Sequence, residues 1–388
     1  MSTNNHSSTS KGATITLAII GAIIIIGIII SKVNLSSSQI IQLKNDKTIL
    51  EMDPLKGKYV GVNKNQIIKI TNDGVSAYNL DGQEIWSDTL TLESIWVQQR
   101  EPYFVVSSKG SRKLAIFNEK GQQGEITTQG PIAYFSINEK GQLAVIEEME
   151  DGHKVSAYTN SGEFIGSRIS YISSGIFPIT AEVSPDSKLL LISYLGVREA
   201  KVTSRIEAVL LEKTENEQRD NVLYGIEEQD NLIYEIEFIN DDEWVAIGDK
   251  NITIYKSSSE KVKSIPGLYV TYTPYLNKRS SMSTYLPILA TETLNGNTLH
   301  AKESLHLFNK LGEETSVIPF ESPITYFYAD DKGVIVGEGK QYKGYNKLGN
   351  QYFEYQASQD ISKLIYLDNE AVAITKDKVM LLKPKRNQ

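Results

Sequence analysis

From Gln39 to the C-terminus, apolar and polar residues alternate over short runs separated by clusters of Gly, Asn, Asp and Ser, a period of two that predicts half-buried β-strands. Six of these runs share one form: Val75 to Trp86 (VSAYNLDGQEIW), Lys113 to Ile126, Lys154 to Ile165, Asn251 to Val262, Ser304 to Thr315 and Gln341 to Tyr352. Each is a strand that ends in an aromatic residue and is followed by a polar turn. A glycine stands four residues after the aromatic at Gly82, Gly121, Gly162, Gly312 and Gly349, and Ser259 takes that place in the remaining copy. Tight hairpin turns need a positive φ there, which a Cβ disfavours.

Weaker copies end at Leu211 and Leu382. The repeat positions 78, 117, 158, 211, 255, 308, 345 and 382 are then 37 to 53 residues apart. That is the period of a four-stranded propeller blade. Alternating strand pairs precede the copies, as in Ile132 to Glu148 and Ile233 to Asp249, so the expectation is an all-β chain: a β-propeller of eight four-stranded blades over residues 39–388, with seven as the alternative because the fourth copy is poor. A β-sandwich or two smaller β domains is the competing architecture. Too few residues follow Leu382 for another strand, whereas Gln39 to Leu43 (QIIQL) has no blade of its own, so it is expected to pair with Lys378 to Lys383 and close the ring.

Upstream the pattern changes. Ala13 to Ile30 holds eighteen residues without a charge between Lys11 and Lys32. As a helix it would span about 27 Å, close to the hydrocarbon thickness of a bilayer. It has no polar face and no small-residue cleavage site after it, so a retained transmembrane helix is expected at 13–30, with a polar tail at 1–12 and a linker at 31–38. The lysines do not set its orientation. Because long domains translocate largely regardless of charge, the expected arrangement is a cytoplasmic N-terminus and an extracytoplasmic propeller in the cell membrane.

Two short motifs carry a family resemblance. Val75 to Trp86 resembles the repeat of quinoprotein-like propellers, in which a tryptophan docks between blades, and Ser184-Pro185-Asp186-Ser187-Lys188-Leu189 resembles the S-P-D-G-K-x-L turn of WD-repeat and TolB-like propellers. Over residues 40 to 384 the chain resembles uncharacterised Gram-positive membrane proteins that pair an N-terminal helix with such a propeller. A quinone cofactor is not implied, since the adjacent-cysteine disulfide of quinone-binding alcohol dehydrogenases cannot form in a chain without cysteine. The closer likeness is to non-catalytic relatives such as the outer-membrane assembly lipoprotein, whose propeller is a scaffold.

Charge and composition narrow the partners. The net charge is −8, and since residues 1–32 hold two lysines and no acid, the remainder stands at −10 and is a poor partner for nucleic acid. His153, His300 and His306 form no metal-ligand spacing, and the acid runs at Glu147, Asp241 and Asp330 lack calcium-loop spacing and read as solvated turns. Nucleophile elbows and phosphate loops are absent, so no catalytic, cofactor or metal residues are assigned.

The stretched sixth repeat is the exception: Tyr269, Tyr272, Tyr275, Arg279 and Tyr285 crowd together, a composition typical of binding hot spots, although strand tyrosines also pack between blades. The expected function is a non-enzymatic, membrane-tethered interaction or scaffold module for a protein or cell-envelope component. The alternative is an enzyme or a sugar- or ligand-binding sensor with its site at the central funnel.

Overall fold

The computed structural model describes residues 40–53, 59–198, 201–211, 221–272, 285–291 and 302–385. They form strands, one short 3₁₀ turn at Ile172–Ser174 and no α-helix. Six four-stranded antiparallel sheets follow one another along the chain: sheet 1 at 59–89, sheet 2 at 95–127, sheet 3 at 132–171, sheet 4 at 176–229, sheet 5 at 233–266 and sheet 6 at 269–319. A final eight-stranded sheet joins 326–356 to 363–384 through the strand Ile41–Glu51. Among the described residues no helix is long and apolar enough to cross a membrane, and the expected span at Ala13 to Ile30 lies outside them.

The predicted aromatic positions fall at the end of the third strand in sheets 1, 2, 3, 5 and 6 and in residues 326–356. Phe117, Tyr158, Tyr255, Phe308 and Tyr345 are buried there, and Phe117 stacks on Phe104 at 5.2 Å. Beyond them the turns fold alike: Asn79 Oδ1 accepts the backbone N–H groups of Asp81 and Gln83, and Asn309 and Asn346 do the same for their own turns. Gly82 has φ 84°, and a Cβ there would lie 2.5 Å from the Ile49 carbonyl oxygen. Its glycine is therefore required twice, by the turn and by the strand it presses against. Gly162 likewise sits against the Glu125 carbonyl of sheet 2, so each turn wedges onto the outer strand of the sheet before it. Ser259, standing in for glycine, takes φ 75° all the same.

Trp86 forms a similar link: its indole N–H donates to the Glu119 carbonyl of sheet 2 at 3.0 Å while its ring stacks on Phe117. In the Ser184 turn, Ser184 Oγ accepts the Leu189 N–H at 2.9 Å, and Ser187 occupies the left-handed position at φ 64°.

Closure differs in register from the sequence expectation. The strand Ile41–Glu51 does pair with Lys378–Pro384, but the antiparallel register runs from Leu43 opposite Pro384 to Glu51 opposite Lys378, so the latch is mostly Lys44 to Glu51. Gln39 lies outside the described residues. The polar run Lys44-Asn45-Asp46-Lys47 reads as a turn, yet an outer strand with one exposed face tolerates it, and two register shifts absorb the mismatch. One core cluster then spans the seam, joining Leu43, Ile49, Val62 and Ile67 to Phe353, Leu364 and Leu382.

Fourth strands such as Val222–Gln229 and Lys261–Pro266 alternate exposed and half-buried residues, whereas the first strands of sheets 2 to 5 contact one another in succession. First strands thus line the axis of the ring and fourth strands its rim.

Candidate functional site

Of the tyrosine cluster, Tyr269 is half-buried in the first strand of sheet 6, and Tyr272 ends that strand. Tyr275 and Arg279 lie outside the described residues. Tyr285 belongs to the core: it is buried and its hydroxyl donates to the Asp330 carbonyl at 2.7 Å, tying sheet 6 to its neighbour. The structure does not present it on a surface. Glu147, expected in a solvated turn, is also buried, and its carboxylate accepts the N–H groups of Gln129 and Gly130. Among the described residues there is no cluster of three or more groups able to hold a metal.

Near the axis the structure assembles a buried ionic triad. Arg100 ends the first strand of sheet 2, and its Nη2 lies 2.8 Å from Glu237 Oε2 on sheet 5 and 3.4 Å from Glu182 Oε1 on sheet 4. All three side chains are nearly inaccessible. Glu182 also accepts the Phe238 N–H at 3.2 Å. Burial pushes its carboxyl up to about 7 despite the opposing pull of Arg100. Nearby, Thr180 Oγ1 donates to the Tyr134 hydroxyl, whose acidity burial suppresses. No sequence motif marked this triad, because its members are 82 and 137 residues from Arg100. The clue in the sequence was an acid in the same place in two consecutive first strands, just before the turn to the second.

A different feature marks one end of the ring. The hairpin of Leu189–Arg198 and Lys201–Leu210 has ten residues in each strand and outreaches its neighbours. At that end Ile169, Tyr171, Ile172, Phe177, Val197 and Val202 stay exposed, Val197 by 65%. The pairing of Gly152 with Tyr171 and the edge contact of His153 with Phe177 bring the ends of sheets 3 and 4 together. Nearly half of the large apolar side chains exposed among the described residues lie here. The strand Ile41–Glu51 starts at the opposite end, beside Pro384.

Sequential four-stranded sheets closed by an N-terminal strand define a β-propeller. Similarity to solved structures agrees: BamB from Moraxella catarrhalis superposes with a TM-score of 0.51 at 13% identity, over 89% of this chain and 98% of that one. The WD40 domain of Toxoplasma gondii coronin (11% identity, 90% of each chain, TM-score 0.47) and Kluyveromyces lactis Hsv2 (11%, 84% and 99%, 0.44) are also similar. No curated protein matches the sequence significantly. Residues 38–383 match DUF5711, a family of unknown function, and the chain belongs to that family.

Proposed function

We propose that this chain is an eight-bladed propeller, the eight-stranded sheet counting as two blades, tethered to the cell membrane by residues 13–30 with its N-terminus cytoplasmic and the ring outside. It acts without catalysis, docking a protein partner on the end of sheets 3 and 4. The observation that carries this reading is the exposed apolar group around Tyr171 and Val197, raised on the long hairpin. Burying it is worth about 25 cal/mol per Å² of apolar surface, so a partner that covers it gains affinity without any charged motif. The alternative, an enzyme or sensor at the funnel, has weaker support, since Arg100, Glu182 and Glu237 there are joined to one another.

A photoreactive residue at Val197 is expected to capture one protein species in the native membrane. The same residue at Leu348, 70% exposed on a turn at the other end, is expected not to capture it. Equal capture of that species from both positions, or none from Val197, would remove the docking surface.

A further inference from the structure

We propose that the outer edge of sheet 3 pairs with the same edge of a second copy of this chain, forming a two-fold dimer through the strand Phe164–Tyr171. The inference rests on the docking reading and deepens it, since Ile169 and Tyr171 belong to the exposed end of sheets 3 and 4, and it names an occupant for the rim of that end.

A strand at a sheet edge offers unpaired N–H and C=O groups to any extended segment, and folded proteins usually guard such edges with charge or proline. Sheets 1 to 6 each end in such an outer strand, whereas the last strand of 326–356 is covered by Ile41–Glu51. Acids stand in the outer strands of sheets 1, 2, 4 and 6, and two lysines and a proline in that of sheet 5. Phe164–Tyr171 (FIGSRISY) has no acid, lysine or proline. Its one charge, Arg168, turns toward sheet 4, where Nε lies 3.1 Å from Glu207 Oε2. Phe164, Ile169 and Tyr171 are exposed instead.

The backbone sets the register. Ile172 N–H donates to the Asp151 carbonyl at 2.8 Å, and the ladder runs on without a shift from Gly152 opposite Tyr171 to Ala157 opposite Gly166. Residues of an antiparallel strand bond alternately to either side. Ser170 and Arg168 therefore bond inward, and Tyr171, Ile169 and Ser167 turn their N–H and C=O groups away from the sheet, where no further strand lies among the described residues. A two-fold axis at Ile169 sets Ile169 opposite its own copy and Ser167 opposite Tyr171 on both sides, so every outward residue of the pair is matched. Arg168 then faces Ser170. An axis at Arg168 would oppose two like charges, which is unfavourable, and an axis at Ser167 would set Tyr171 against Glu163, outside the strand.

The chain has no cysteine, so an introduced one reports a single contact. Opposed residues of a hydrogen-bonded pair have Cα atoms about 5.5 Å apart, within reach of a disulfide. The full-length chain carrying Ile169→Cys, in dodecyl maltoside with copper phenanthroline, is expected to give a disulfide-linked dimer. Ile85→Cys, exposed on the outer strand of sheet 1, is expected to remain a monomer. Ser167→Pro removes an outward N–H that the single ring does not use, and Ile169→Lys opposes two charges. Each is expected to weaken the dimer about tenfold or more, read by sedimentation. If Ser167→Pro does not melt cooperatively, Ile169→Lys carries the test, since that side chain is exposed. Equal dimer from the two cysteine variants, an unaltered chain that sediments as a monomer at every concentration, or a dimer that neither substitution weakens would overturn the proposal. Capture of a different protein from Val197 without a disulfide at residue 169 would overturn this inference and leave the docking surface standing.

Discussion

Glu182 shows what burial does to a single group. Its carboxyl is raised from the ordinary 4.5 to about 7, so the folded protein holds this proton more tightly than the unfolded chain. The resulting stabilisation is complete below pH 4.5 and is lost as the pH rises through about 7. Its ceiling is about 3 kcal/mol, since each tenfold gain in proton affinity is worth about 1.4 kcal/mol. Melting temperatures are therefore expected to fall by a few degrees between pH 5.5 and 8.5. Glu182→Gln should flatten that slope while keeping a hydrogen-bonding group beside Arg100, and an unchanged slope in the variant would show that another group carries the dependence. The shift itself was not legible in the sequence, where Glu182 is one acid among 48 Asp and Glu residues. The turn glycines were legible, because a positive φ is a local demand: Gly82, Gly121, Gly162, Gly312 and Gly349 all adopt it. That Gly82 must also yield space to the Ile49 carbonyl is a contact between distant segments, and no local pattern announces it.

Whole strands follow the same division. The third strands were found by their aromatic ends, and even the weak fourth copy is a strand, Lys201–Leu210. The wide spacing around it reflects in part a hairpin that is extended, with ten residues in each arm. The closing strand was placed too early, since Lys44 to Lys47 suit an exposed rim that exists only once the ring is formed. Its importance can be measured with two shortened chains. One beginning at Ile40 keeps the latch and is expected to melt cooperatively. One beginning at Asp53 loses the buried side chains of Leu43 and Ile49 and the pairing with Lys378–Pro384, a cost of about 3–6 kcal/mol from the two side chains alone. Equal melting temperatures would show that the ring holds without Ile41–Glu51.

At the scale of the molecule, the proposed tether and the ring make separate demands. If residues 13–30 span the bilayer, alkaline carbonate should leave the full-length chain in the membrane pellet, and protease added to sealed protoplasts should digest the propeller. Release into the supernatant would refute the tether, and protection from protease would reverse the orientation. The sequence by itself determined the class of strand, the positions of the turns and the repeat, because alternation and positive φ are properties of a few neighbouring residues. Only the tertiary structure decided which residues meet: Arg100 with Glu182 and Glu237, His306 with Glu314, and His153 with Phe177 at the exposed end of sheets 3 and 4. Those encounters depend on how consecutive sheets are set around a closed ring, and residues far apart along the chain carry no local record of that arrangement.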